Sequence, residues 1–282
     1  MNSGKIFLCV FLVIVLSVTY PCFVSSSDGQ GCEKPHYRGD ASCEGSGFSF
    51  LEGKVRITSG DDSLRYASYC SLPGKETVET GRGSFSEITL PGGIVVQILG
   101  ETVLGLDSGE ESVSLKLHHG SVRIKTREAA LRVITHSAVV YAAGDAADFA
   151  LILDTEDEAL IDLFSGAVEI AGKAARENII RPNAGKYISV SAGGIPEVKG
   201  DIPSLRRIRW ELFELRKDVS GLKRRKQALA AELEHLESEK SPSCDVPFEV
   251  KEKKDAIDGI ERDIKRVSEL KKKLEEREGQ GR

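Results

Sequence analysis

The sequence predicts a mainly β protein: an antiparallel β domain, built as a sandwich or as stacked hairpins, followed by a C-terminal α-helical hairpin or coiled coil. Two periodicities carry this prediction. Between residues 53 and 200, short Val-, Ile- and Leu-rich segments alternate with turn residues, as in half-buried strands. From residue 205, apolar residues recur every three to four positions, as in paired helices. The predicted organisation is a signal peptide at 1–27, a cysteine-containing linker at 28–52, a β domain at 53–200 and a helical region at 204–282.

The N-terminus has the layout of a secretory signal peptide. Residues 1–5 supply one positive charge, residues 6–18 form an apolar run, and small and polar residues follow. The run is short for a transmembrane helix. We therefore expect export to the periplasm or the exterior, with cleavage near residues 24–27. An uncleaved N-terminal anchor and lipidation at Cys22 are the alternatives, although Tyr20 and Pro21 suit lipidation poorly.

Export changes the interpretation of the cysteines. Cys9 and Cys22 would leave with the signal peptide, and an even number in an oxidising compartment predicts disulfides. The candidates in the mature chain are Cys32, Cys43, Cys70 and Cys244. A bridge between Cys32 and Cys43 is the local possibility, but the sequence does not choose among the three pairings. A zinc site is the competing idea, and no C-x-x-C pair supports it.

Twelve strands are expected in the β region. The turns between them fall at Gly-containing breakers such as Pro91-Gly92-Gly93 and Ser165-Gly166, because glycine accepts the positive φ of a tight reversal. His119-Gly120 is interpreted in the same way, which puts His118 and His119 at the tip of a hairpin. The segments are 54–58, 86–90, 94–99, 112–117, 121–126, 131–135, 138–143, 148–153, 158–164, 167–171, 178–181 and 186–191.

The helical region begins where Pro203 ends a strand and Ser204 can cap a helix. Its first predicted seam is Leu205, Ile208, Leu212, Leu215, Val219, Leu222, Leu229, Leu233 and Leu236, with Lys226 as the exception. Pro242 and Pro247 interrupt the pattern. The second run is Val250, Ile257, Ile260, Ile264, Val267 and Leu274. Two such helices fold most economically as an antiparallel hairpin, and pairing with a second copy is the alternative.

The sequence carries no recognisable catalytic motif. It lacks the patterns of a nucleophile elbow, a zinc protease helix and a phosphate-binding loop. Adjacent strand residues such as His118 and His119 point to opposite faces and make a poor metal pair. A net charge of −5 argues against non-specific nucleic-acid binding. We therefore expect no enzyme activity, no catalytic or metal-binding residues and no cofactor.

Five consecutive segments resemble the FecR family in order along the chain. They are ETVETGRGSFSEITLPGGIVVQILGETVLGL (76–106), VSLKLHHGSVRIKT (113–126), LRVITHSAVVYAAGDAADFALIL (131–153), EALIDLFSGAVEI (158–170) and NAGKYISV (183–190). The resemblance rests on this serial agreement, because each piece alone is a common hairpin pattern. Family members usually carry Gly-Thr where this chain has Gly144-Asp145, and often Asp-Gly where it has Gly92-Gly93.

The resemblance implies a β-rich, non-catalytic envelope domain. In the best-known members this domain relays a signal from an outer-membrane transporter to a sigma factor. We expect an exported binding or scaffolding module of the bacterial cell envelope, with protein partners and possible self-association through the helices. The alternative is a signal-transduction component that relays binding at the β domain to a membrane partner through the helices. Nucleic acid is not expected as a partner, and membrane contact is expected only through an uncleaved signal.

Overall fold

The computed structural model describes residues 46–59, 64–66, 72, 75–108, 112–144, 146–153, 158–175, 177–238 and 246–280. These residues belong to one compact unit, Ser42–Arg282. The predicted signal peptide and the four candidate disulfide cysteines lie outside the described residues.

The described β region contains sixteen strands. They are β1 Gly47–Glu52, β2 Val55–Ser59, β3 Leu64–Tyr66, β4 Lys75–Thr80, β5 Phe85–Leu90, β6 Ile94–Ile98, β7 Thr102–Ser108, β8 Val113–Thr126, β9 Ala130–Ile134, β10 Ala138–Ala143, β11 Ala147–Leu153, β12 Ala159–Gly166, β13 Glu169–Gly172, β14 Ile179–Ile180, β15 Lys186–Val190 and β16 Pro196–Asp201. The mainly β fold class is thereby confirmed. The Pro91–Gly93 segment forms the expected reversal between β5 and β6, with Gly92 and Gly93 both at a φ of 72°.

Strand β8 joins two sheets. Sheet I has the order β1-β5-β6-β8-β11-β12-β15-β16, and sheet II has the order β3-β2-β4-β7-β8-β9-β10-β13-β14. The N-terminal half of β8 pairs in sheet II and its C-terminal half pairs in sheet I. At the change of sheet stands Gly120, with a φ of +94°. A Cβ there would come within 2.5 Å of the Thr102 backbone, so only glycine fits.

The predicted hairpin tip at His118 and His119 is therefore wrong. The two segments expected as separate strands, 112–117 and 121–126, form one continuous 14-residue strand. A glycine with positive φ is compatible with a hairpin turn and with a sharp bend, and here it makes the bend. A second departure is the pairing of β8 with β9, which is parallel in a fold otherwise paired antiparallel among the described strands.

The core lies between the two sheets. Alternate residues of each strand point inward, and 0% of the side-chain surface is exposed at Val78, Leu115, Val122, Phe149 and Ile161. Strand β1 contributes Phe48 to this core, so the sheet starts within the segment 28–52. Burial of such side chains stabilises the fold by roughly 1.5–3 kcal/mol each before entropy is subtracted.

Strand β16 forms one edge of sheet I. It pairs with β15, and the register shifts so that Lys199 has no opposite residue on that strand. Val198 beside it is 50% exposed. Pro196, at the first position of the strand, has no backbone N–H to donate.

Two helices follow, α1 Ser204–Ser238 and α2 Val246–Gln280. They are antiparallel, because Arg216 pairs with Glu275, near one end of the hairpin, and Lys254 with Glu237, near the other. The helical hairpin is thereby confirmed. The predicted seam positions from 215 to 236, including Lys226, are half-buried along α1. Its description as a coiled coil remains a prediction.

Candidate functional site

The first four turns of α1, residues 204–217, pack on the outer face of sheet I and are called the docked segment below. Arg206, Trp210, Phe213, Glu214 and Lys217 fall on one helix face because they are spaced by three or four residues. Each has a partner or a packing contact on sheet I, described in turn below. This contact area is one candidate functional site, and the outer face of sheet II, described below, is the other.

The apolar part of the site is an aromatic cluster separate from the main core. Trp210 and Phe213 are buried against Phe50, Leu99 and Ala150 of sheet I. The Phe213 ring lies 5.7 Å from that of Phe50, in an edge-to-face arrangement. Such aromatic pairs contribute about 0.5–1.5 kcal/mol beyond the area that they bury.

A buried carboxylate anchors the C-terminal end of the docked segment. Glu87 of β5 is 3% exposed and accepts hydrogen bonds from Lys217 Nζ, at 2.7 and 2.9 Å, and from Gln97 Nε2, at 3.0 Å. Ser49 Oγ donates a third contact at 2.7 Å. Donors from α1 and from sheet I satisfy the Glu87 carboxylate. Its burial is therefore tolerated.

Glu214 makes a second, complementary contact with sheet I. Its carboxylate accepts hydrogen bonds from Lys125 Nζ and, at 2.8 Å, from Gln97 Nε2. Burial acts to raise the pKa of Glu214, but the two hydrogen bonds and the charge of Lys125 outweigh it and hold the pKa below its usual value. Gln97 thus bridges the carboxylates of Glu87 and Glu214.

The carboxylate of Asp162 is buried at this interface with poor hydrogen bonding. It lies in β12, is 0% exposed, and faces Arg206, whose Nη1 is 3.2 Å from its Oδ1 without hydrogen-bond geometry. Both carboxylate oxygens, Arg206 Nη1 and the indole Nε1 of Trp210 are buried without a hydrogen-bond partner among the described residues. Burial raises the pKa of Asp162 to about 6, against the opposing charges of Arg206 and Arg207.

The outer face of sheet II differs from that of sheet I. It holds a shallow depression of about 480 Å³ that is lined by strand residues alone. The floor is Gly105, and the rim includes Thr58, Thr77, Lys116 and His118. Partial burial, together with the neighbouring charge of Lys116, lowers the pKa of His118.

The predicted site residues are placed as follows. His118 and His119 lie side by side in β8, both exposed. Leu205, Ile208, Leu212 and Leu215, expected only as helix seam, lie within the docked segment, where Ile208 and Leu212 are buried. The proposed disulfides remain a prediction, since their cysteines fall outside the described residues.

The buried polar residues of the interface were not anticipated from the sequence. Two signals were present. Trp210 and Phe213 lie off the predicted seam of α1, which indicates a second apolar face. Leu160 and Phe164 flank Asp162 on the outward-facing side of β12, where an uncovered sheet would carry polar residues.

Neither a metal site nor a membrane span is found in the described residues. No group of three or more His, Cys, Asp or Glu side chains there is arranged to hold a metal ion. No helix among them combines the length and the apolar character needed to cross a membrane.

The fold and site together define a two-sheet β domain with a helical hairpin docked on one face. Residues 76–169, from β4 to the start of β13, match the model of the family described as FecR protein. Residues 76–169 are therefore similar to a FecR domain, as the serial resemblance along the sequence predicts.

Two solved structures are similar to this chain. Both are crystal structures of a "putative anti-sigma factor" from Parabacteroides distasonis ATCC 8503, at 2.50 and 1.65 Å resolution. Each is 18% identical with a TM-score of 0.41, and the alignments cover 47% and 48% of this chain. The chain spans 62% and 64% of the two solved chains. No curated protein matches the sequence.

Proposed function

We propose that this chain is an exported, non-catalytic binding module of the bacterial cell envelope, whose FecR domain contacts a protein partner through the outer face of sheet II. FecR proteins are envelope-associated, which supports the location. One observation carries the choice of surface. The docked segment covers the outer face of sheet I, whereas the depression on sheet II is open.

The chemistry of the depression favours a polar partner segment, because its two lysines are balanced by the carboxylates of Glu76 and Asp107. Lys75 and Lys116 stand exposed at its rim, and Asp107 is the exposed carboxylate among its lining residues. Thr58 and Thr77 add hydroxyl groups that can donate or accept hydrogen bonds. Gly105 leaves the floor clear, so a side chain of the partner can approach the backbone of β7.

Site-specific photo-cross-linking tests the surface. The full chain, carrying a photo-activatable residue at Lys116, is irradiated in intact cells, and the same residue at Lys272 of α2 serves as the control. We expect a cross-linked protein from position 116 alone, and its loss when Gly105→Arg fills the depression. A Cβ at Gly105 has its nearest neighbours at 3.5 Å, so the fold tolerates the change. Equal products from both positions, or none from 116, would contradict the proposal.

A second candidate function is signal relay through the helices. The observation that favours it is the path of β8. The N-terminal half carries Lys116 and His118 at the depression, and the C-terminal half carries Arg123 and Lys125 at the face covered by α1. Movement of this strand on binding would displace Lys125, which pairs directly with Glu214 of α1.

The same cross-linked complex separates the two functions. Trp210 is the sole tryptophan of the chain and is 1% exposed in the docked segment, so its fluorescence reports on that contact. Relay predicts a changed emission spectrum in the complex. An unchanged emission spectrum would contradict relay and would support binding without signal transmission to α1.

A further inference from the structure

We propose that docking of α1 on sheet I depends on pH, tightening when Asp162 is protonated and loosening when it is ionised. This inference goes beyond the proposed function and does not require a partner. It rests first on geometry: a carboxyl group buried under the first turn of α1, with neither oxygen hydrogen-bonded within the described residues.

Among the described residues, charged and titratable groups face Asp162 from α1 and from neighbouring strands of sheet I. From α1, Arg206 and Arg207 face it. Along its own rung of sheet I stand Tyr187 of β15 on one side and, beyond Ala150, Arg123 of β8 on the other. Two of these cations are engaged elsewhere.

Competing contacts weaken the pairing of Asp162 with these cations. The Arg206 guanidinium stacks 4.4 Å from the centre of the Tyr187 ring. Arg123 donates to Asp148 at 2.8 and 2.7 Å in a bidentate pair. An ionised Asp162 therefore exchanges full hydration for an ion pair of poor geometry, which is unfavourable in a buried site.

The direction of the pH effect follows from linkage. In the docked state the pKa of Asp162 is about 6, and in an undocked, solvated state it is 3.8. Docking therefore takes up a proton between these values, so the contribution of Asp162 to docking is fully present below about pH 4 and is lost as the pH rises through 6. Between pH 8 and pH 5 the equilibrium constant for docking should rise about 10-fold.

Glu214 has the opposite sign and a different pH window. Because its pKa is lowered in the docked state, its contribution to docking is lost as the pH falls below its ordinary value of 4.5. Glu214 sits two turns further along α1, in contact with Lys125 and Gln97. Measurements at pH 5 and above therefore avoid most of the Glu214 effect. Asp218, whose pKa is raised by burial and by the charge of Glu214, has the same sign as Asp162, so the Asp162→Asn variant is needed to assign the effect to Asp162.

Amide hydrogen exchange of the full chain tests the proposal. Protection factors in residues 205–217, corrected for intrinsic exchange and normalised to those of β8, are compared at pH 5 and pH 8. We expect the protection to be about 10-fold higher at pH 5. In Asp162→Asn, which keeps the shape of the side chain and removes the titration, the difference should disappear.

The matched control is Asp107→Asn, an exposed carboxylate on sheet II, which should leave the 10-fold difference intact. Trp210 fluorescence at pH 5 verifies that α1 is still docked in Asp162→Asn. Persistence of the pH effect in Asp162→Asn, or its absence or reversal in the unmodified chain, would overturn the proposal.

Discussion

Single residues decide where two backbones can meet. Gly172 ends β13, and the turn that precedes β16 approaches it so closely that a Cβ at Gly172 would lie 1.2 Å from the carbonyl oxygen of Gly194. Gly105, also in sheet II, has only ordinary van der Waals neighbours, the nearest at 3.5 Å. Both glycines lie in strands of sheet II, and they differ in what faces them.

We predict that Gly172→Ala destabilises the protein by about 3 kcal/mol or more, because rigid backbone has to move to admit the methyl group. Gly105→Ala is the control and should change the free energy of unfolding by no more than about 1 kcal/mol. Urea unfolding followed by circular dichroism measures both. Equal free energies of unfolding for the two variants would contradict this prediction, because they would show that the turn at Gly194 moves without an energetic penalty.

At the scale of the elements, α1 serves two partners. Its first turns bury aromatic residues on sheet I, and its remaining length pairs with α2. In the second part, Lys226 occupies a seam position otherwise held by apolar residues, and its Nζ lies 2.5 Å from Glu261 Oε1. Because both side chains are about half exposed, this ion pair contributes little.

Lys226→Leu should therefore stabilise the hairpin by about 1 kcal/mol, the value of a half-buried leucine. The expected signature is slower hydrogen exchange in residues 222–233. Lys223→Leu, at an exposed position of the same helix, is the matched control and should have no such effect. If the two variants behave alike, the seam does not face α2 in solution.

At the scale of the whole molecule, local stability against opening should decrease from the N-terminal to the C-terminal end of α1. The β core is held by residues far apart in sequence, whereas the hairpin beyond the docked segment is held by two helices alone. Among the described side chains of α2, only that of Ile260 is buried, at 7% exposed. Local opening is cheapest where few apolar contacts are lost.

We predict a gradient of amide protection, highest in the central strands β8 and β11, intermediate in residues 205–217, and lowest near the C-terminus of α1. Hydrogen exchange followed by mass spectrometry of the full chain resolves these three regions. Uniform protection from Ser204 to Ser238 would contradict it and would indicate that the hairpin has a further partner, such as a second copy.

Local pattern predicted much of this fold. Alternation identified strands such as β6 and β11, and the heptads placed α1 and α2 as an antiparallel pair. The path of β8 escaped prediction, because the bend at Gly120 is decided by pairing with strands distant in sequence. The docked segment escaped it for the same reason: Trp210 shows that α1 has a second apolar face, but not which of two sheets receives it.

The sequence predicted the kind of site but not the residues that form it. Contact surfaces were expected on strands and helices, and the buried polar residues Glu87, Gln97 and Asp162 were not singled out. Each looks like an ordinary outward strand residue until a helix covers it. Burial of such a group is a tertiary event, so no spacing in the local sequence reports it.

The irregular edge at β16 has a consequence for how copies of this protein behave in a crowded compartment. An unguarded edge strand invites a neighbour to add its own strand, and repetition of that step builds fibrils. Here the bulge at Lys199 breaks the flat row of hydrogen-bonding groups, and Pro196 withholds a donor. Although the neighbouring Val198 is half exposed, strand β16 should therefore resist edge-to-edge pairing with another copy of the protein.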